Sequence, residues 1–369
     1  MKTKKTASFF LAALLMLSVL PFGVFAVSTP VVPTSTASIT IENALENDQL
    51  SAYKVVDIRY DAGNNTLSYA WNSAFTDYFS GKTLYNTTVY TVETFATFTD
   101  DSDALKDLLA KLPSYIKDRS IAPAQIQTVG ADGKAIFADL AMGEYFIRPT
   151  LTTSVYQLML QKVEPTVANV GGTETYVIDD VAFTAKKEKV NIAKTADKTS
   201  VTKNEKVTYT IAADIPTYSD NATDQSFSVY DLLPDGLTID KDSITIKRDG
   251  TDITGQAGTQ YTLDKTANTT AEPYHTFRFS VDTAQYAADW SGSGGKQLVI
   301  SYTATLNDDA TTEVNVKEAN LVTFDYSFYP YVESSHIQKT DQVDITTFAI
   351  KINKFVKGKS DTKLAGAKF

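Results

Sequence analysis

The sequence contains no cysteine. Exported proteins commonly staple their domains with disulfides, so any covalent reinforcement of this chain must use other chemistry. Histidine is almost as scarce: His275 and His336 are the only two, neither lies in a recognisable motif, and both are expected at the surface. No serine nucleophile elbow, phosphate loop or zinc-ligand spacing is present, which argues against an enzyme. The acidic run Asp100-Asp101-Ser102-Asp103 lacks the glycine and closing glutamate of a calcium loop and reads as the N-terminal cap of a helix. No metal and no cofactor are expected. Positive charge is in deficit, with 34 Lys and Arg against 44 Asp and Glu and a net charge of −10, so the chain lacks the basic face that nucleic acid requires. Beyond the first 26 residues no apolar run is long enough to span a bilayer, and no membrane contact is expected beyond transient export.

The first 26 residues form a separate object. Lys2, Lys4 and Lys5 precede an apolar run from Phe9 to Leu20, and Val24-Phe25-Ala26 supplies a cleavage site, so the segment reads as a secretory signal peptide cut after Ala26. The mature chain is expected to be secreted.

With 369 residues, 20 Tyr and 19 Phe among many Thr and Val, the remainder suggests two or three mainly β domains. Residues 27–37, with Pro30 and Pro33, form an extended lead. A first domain is expected over 38–186, with strands at Ser38–Ile41, Ala52–Arg59, Thr66–Trp71, Ala135–Asp139, Tyr145–Arg148 and Tyr156–Val163. Leu105, Leu108, Leu109, Leu112 and Ile116 recur at helical spacing, which predicts one added helix ending near Leu112 because Pro113 follows. Over 187–342, alternation is clean: Val207, Tyr209 and Ile211 share one face, as do Leu298, Ile300, Tyr302, Ala304 and Leu306. Regular turn signals and no helix predict an Ig-like β-sandwich. Residues 343–369 open a third pattern, with Phe348, Ile350 and Ile352 on one face, and its abrupt end suggests a fragment of a longer protein.

The phase of polar residues carries the chemistry. Val190, Ile192 and Lys194 share a face, as do Phe227, Val229 and Asp231, and as do Asn320, Val322, Phe324 and Tyr326 on what reads as the last strand. Three strands thus direct a lysine, a carboxylate and a carboxamide toward one core. An edge lysine, or a buried ion pair with an amide partner, satisfies the same phase. A reaction is the sharper reading. Burial lowers the pKa of a lysine and raises that of an aspartate, so a neutral amine can attack the Asn320 carboxamide while protonated Asp231 shuttles protons and ammonia leaves. The resulting isopeptide bond would close a loop of roughly 125 residues and, treated like a disulfide, stabilise the fold by about 4–5 kcal/mol. Lys54 falls out of phase and reads as a surface residue, and Glu144 as a turn residue.

Three segments resemble the fimbrial isopeptide-forming domain of backbone pilins from Gram-positive, sortase-assembled pili. Ile192-Ala193-Lys194-Thr195 resembles its first strand. Ser228-Val229-Tyr230-Asp231-Leu232-Leu233-Pro234-Asp235-Gly236-Leu237 is similar to its V-x-D-x-L-P-x-G-L signature, and Asn320 to Ser327 to its closing motif, an asparagine followed by a Tyr-Ser pair. The resemblance implies tandem Cna-type sandwiches and a Lys194–Asn320 bond promoted by Asp231. It implies a covalent polymer of identical subunits joined by a pilin-class sortase, together with other pilins, at the cell wall. Self-cross-linking would then be a single-turnover event, not enzymatic activity. The intersubunit lysine of that family stands before this domain, often in a YPKN motif; here Val181 to Lys187 keeps the alternating strand but lacks Tyr-Pro, so Lys186 is the expected position and Lys187 the alternative. Leu364 to Phe369 resembles the LAGAxF signature of a CnaB-like domain, which places Lys354 as that domain's inward isopeptide lysine. The other reading is a surface adhesin, or a tip or basal pilin, whose first domain binds a host ligand.

Overall fold

The computed structural model describes residues 29–79, 83–84, 88–89, 92, 103–218, 222–281, 286, 289–290, 292–311, 317–332, 335–347, 354–363 and 366. The expected signal peptide with Ala26, most of the acidic run, and Phe348, Ile350 and Ile352 lie outside them.

The first unit is built on a sheet ordered Met159–Val163, Gly143–Leu151, Gln49–Asp61, Thr66–Trp71, with Gln125–Thr128 also pairing with Gln49–Asp61. A second sheet places Thr36–Glu42 between Val181–Thr184, to which it is parallel, and Ala135–Ala141. The strand expected over Tyr156–Val163 is two strands. Ser154–Tyr156 leaves the main sheet to pair with Lys187–Lys189, whereas Met159–Val163 pairs with Gly143–Leu151. The helix runs from Asp103 to Asp118 and does not end at Leu112. Leu108, Leu109 and Leu112 before Pro113 and Ile116 after it are all buried, and this apolar face outweighs the cost of a proline inside a helix, about 3 kcal/mol. Glu144 is not a turn residue: it lies in the Gly143–Leu151 strand, opposite Val56, and is buried. Lys54 is half-buried beside it, paired with Asp57 at 2.9 Å. A register shift between Lys54 and Val56 breaks the alternation that placed Lys54 outside, and its side chain crosses Gly143, where a Cβ would stand 2.2 Å from Lys54 Cε.

The second unit is an antiparallel sandwich of two five-stranded sheets. One is ordered Ile192–Ala196, Lys206–Asp214, Gln297–Leu306, Leu237–Arg248, Thr251–Asp252; the other Thr262–Asp264, Phe277–Val281, Phe227–Leu232, Glu318–Ser327, His336–Ile345. Alternation accounts for both: Val207, Tyr209, Ile211, Leu298, Ile300 and Tyr302 of one sheet and Phe277, Phe279, Val322 and Phe324 of the other are buried in a single core. Glu318–Ser327 is not the last strand, since His336–Ile345 pairs with it along its whole length. Ile345 is buried in this core and Thr346 bridges to Ser200, so the sandwich extends past residue 342. Contrary to the expectation of no helix, the described residues include a short 3-10 helix, Thr254–Gln256, and helical backbone at Tyr286 and at 289–290.

The two units interlock. Tyr329, Tyr331 and Val332, from the turn between the last two strands of the sandwich, are buried in the core of the first unit. The two tyrosine rings pack edge to face at 5.3 Å, and Ser114 of the long helix donates to the Tyr331 carbonyl at 3.3 Å. In return, Val155 of the first unit belongs to the sandwich core, and Tyr326 donates to the Thr153 carbonyl at 2.8 Å.

Of the two histidines, His275 is not at the surface and His336 is half-buried. His275 is buried, its Nδ1 2.9 Å from the Pro273 carbonyl. His336 bridges two carboxylates, with Nδ1 2.5 Å from Asp325 Oδ1 and Nε2 3.0 Å from Asp224 Oδ2. Those two hydrogen bonds raise its pKa to about 9. Because the folded value lies above the unfolded one, about 6.5, this clasp stabilises the fold fully below that pH and loses its contribution as pH rises through about 9. The melting temperature of the wild type is therefore expected to fall between pH 6.5 and 9.5, by an amount equivalent to at most about 3 kcal/mol. His336→Asn should be less stable at pH 6 and should flatten that slope; an unchanged slope refutes the clasp.

The region 343–369 contributes a two-stranded hairpin, Phe355–Val356 with Lys359–Lys363. Lys354 is exposed rather than inward-facing, and Phe355 and Val356 beside it are exposed as well, because no facing sheet covers them among the described residues.

Candidate functional site

Lys194, Asp231 and Asn320 meet inside the sandwich. Lys194 comes from the edge strand of one sheet, paired with Ile211; Asp231 and Asn320 come from the facing sheet, where Asp231 pairs with Val322, two residues from Asn320. Antiparallel register sets the two acceptors diagonally on one face, and the lysine stem reaches across from the other sheet. The three residues are at most 4% exposed.

Lys194 Nζ donates to Asp231 Oδ2, to Asn320 Oδ1 at 2.5 Å and to the Leu321 carbonyl at 3.4 Å. Burial, the largest influence on both partners, pushes the lysine down and the aspartate up from their ordinary values, against the pull of their mutual attraction. Both shifts favour the neutral pair, an unprotonated amine beside a protonated acid. The amine's contact with the carboxamide oxygen puts it beside the carbonyl carbon it would attack, in a pocket walled by Tyr209 and Tyr302, whose ring centroids lie 5.6 and 5.7 Å from Nζ.

Phase alone did not single out two further residues. Tyr302 donates to Asp231 Oδ1 at 2.9 Å and accepts from Asn320 Nδ2 at 2.8 Å, tying the acid to the carboxamide. Its place on the inward face was legible; the signal for a role was its hydroxyl among aliphatic neighbours. Asp341 accepts the backbone N–H of Lys194 at 2.7 Å, so the last strand of one sheet grips the edge strand of the other. Lys339 reinforces this by donating to the Val190 carbonyl. In the loop after Asp231, Gly236 is required by close approach, since a Cβ there would stand 2.5 Å from the Glu318 carboxyl carbon, and that carboxylate accepts the Thr311 N–H at 2.8 Å.

Lys186 and Lys187 lie apart from this cluster, at the junction of the units. The segment is ordered: Lys187–Lys189 pairs with Ser154–Tyr156, and the Lys186 carbonyl accepts from Gln157 at 3.0 Å. Both side chains are half-buried. Beside them Asp48 is buried, accepting from Tyr156 at 2.5 Å and Thr152 at 2.7 Å, and burial raises its pKa.

Among known proteins, a family model described as "Putative Ig domain" matches residues 189–283, the first part of the sandwich. No curated protein matches the sequence. Among solved structures, the chain is similar to the T6 backbone pilin of serotype M6 Streptococcus pyogenes, described as a modular three-domain structure, with 16% identity and a TM-score of 0.55 over 85% of this chain and 64% of the pilin. It is also similar to the full-length major pilin SpaD of Corynebacterium diphtheriae, with 13% identity and a TM-score of 0.52 over 90% of this chain and 71% of that one. The chain thus spans just under two thirds of the T6 pilin. In architecture it is mainly β, modular and Ig-like, and it shares the fold of Gram-positive backbone pilins.

Proposed function

We propose that this chain is a structural subunit of a covalently polymerised surface pilus, secreted and held at the cell wall, whose sandwich is closed by a Lys194–Asn320 isopeptide bond promoted by Asp231. The observation that carries this reading is the dry lysine–aspartate–asparagine cluster between two sheets. Burying a lone ion pair costs several kcal/mol that hydrophobic residues of similar volume would not incur. A reaction that consumes the amine removes that cost and leaves a neutral amide. The bond ties one sheet to the other where a disulfide would serve in a cysteine-containing protein. It forms once per molecule, so the chain is a substrate of its own folding rather than an enzyme.

The partners in this reading are identical subunits, other pilins and a pilin-class sortase, and the acceptor lysine is Lys186, with Lys187 as the alternative. Lys186 follows the strand that pairs in parallel with Thr36–Glu42, so a link there would pull along ordered β structure. Incubation of the chain with such a sortase and a subunit bearing the sorting signal should give an SDS-resistant ladder that disappears in Lys186→Ala. A ladder surviving in both Lys186→Ala and Lys187→Ala would remove the lysine assignment, and no ladder from the wild type would remove the polymer reading.

A further inference from the structure

Resting on the isopeptide reading, we propose that Tyr302 is a catalytic residue of the self-cross-linking reaction, its hydroxyl relaying a proton from Asp231 to the leaving nitrogen of Asn320. Amide nitrogen is a poor leaving group until it is protonated. Asp231 has one oxygen on Lys194 Nζ and the other on Tyr302 Oη. The carboxamide nitrogen donates to Tyr302 Oη. The tyrosine hydroxyl therefore stands between the acid and the group that must leave.

The steps balance without an external reagent. The Nζ lone pair forms a bond to Asn320 Cγ, and the carbonyl electrons move onto Oδ1. In the tetrahedral adduct Nδ2 is no longer conjugated and becomes a base. The chain of hydrogen bonds then reverses: Asp231 Oδ1–H donates to Tyr302 Oη as Oη–H passes its proton to Nδ2. The Cγ–Nδ2 bond breaks, Oδ1 returns to a carbonyl, and ammonia departs. Asp231 Oδ2 takes the surplus proton from Nζ, so the aspartate and the tyrosine end as they began. Burial holds the Tyr302 phenol well above its ordinary pKa, which keeps the proton on the relay at neutral pH.

The ring is fixed for this task. Tyr302 pairs directly with Tyr209 across two strands, their rings stacked at 5.3 Å, and it meets Phe277 edge to face at 5.3 Å. Tyr302→Phe keeps those contacts and removes only the hydroxyl.

The test follows intact mass over time in the full chain, from the first minutes after synthesis. Wild type should have lost one ammonia at the earliest point. Tyr302→Phe should show a full-mass population that closes on the order of 10²-fold more slowly. In a series with fluorinated tyrosines at position 302, the closure rate should track phenol acidity, a dependence that packing alone would not produce. Closure of Tyr302→Phe at the wild-type rate, or a rate indifferent to acidity in the fluorinated series, overturns the relay while leaving the bond itself standing. A wild type at full mass overturns the bond and the relay together.

Discussion

The purified chain should weigh one ammonia less than its residues require, and Lys194→Ala, Asp231→Ala and Asn320→Ala should each restore the missing mass. The three substitutions differ in what they leave behind. Asn320→Ala removes the electrophile but keeps the lysine beside its carboxylate, so it loses the cross-link together with the Asn320–Tyr302 hydrogen bond. The proposed bond would span 126 positions of sequence, and constraining so long a loop in the unfolded chain would be worth about 5 kcal/mol. For a domain of this size the loss corresponds to roughly 10–20 °C in melting temperature. Lys194→Ala should lose the cross-link as well, and it also empties the space that the buried lysine stem fills between the sheets. A wild-type protein at its full theoretical mass sinks the whole proposal, whatever the variants do.

A comparably large effect is expected at the interlock. Tyr329 and Tyr331, with Val332, are buried in the core of the first unit, whereas the strands of their own sandwich build the other core. Tyr329→Ala should destabilise by about 3–5 kcal/mol, the usual cost of emptying an aromatic site. The damage should fall on the other unit: hydrogen exchange should lose protection across Asp103–Asp118 while the sandwich strands at Tyr209 and Tyr302 keep theirs. Equal loss in both units, or loss confined to the sandwich, would show that the turn is a passenger on the surface of the first unit.

The site was more legible than the fold around it, for a physical reason. A strand's two-residue period makes the direction of a side chain a matter of counting, so Lys194, Asp231 and Asn320 could be aimed at one core without knowing which strands were neighbours. Counting failed where the backbone departs from that period. The register shift at Lys54 brought a lysine partly inside, and Glu144 went with it. At Pro113 local propensity argues for a helix end, while four buried leucine and isoleucine side chains, placed by tertiary packing, carry the helix through. Tyr302 shows a third kind of gap. Its inward face was legible, but a phenol among aliphatics reads as core until its hydroxyl is seen between Asp231 and Asn320. The role of residues 328–332 had no local signal at all, since what they fill is made by strands and a helix far away in sequence.

That last feature bears on the order in which the protein can be made. A chain emerges amino terminus first, so residues 103–118 are synthesised long before the residues that cover them. Until Val332 has followed, the first unit lacks three of the side chains that fill its core. Asn320 and Tyr329 stand nine positions apart on one strand and its turn. The movement that brings the carboxamide to its lysine therefore also delivers the plug to the waiting core, and the oldest part of the chain is finished by one of the youngest.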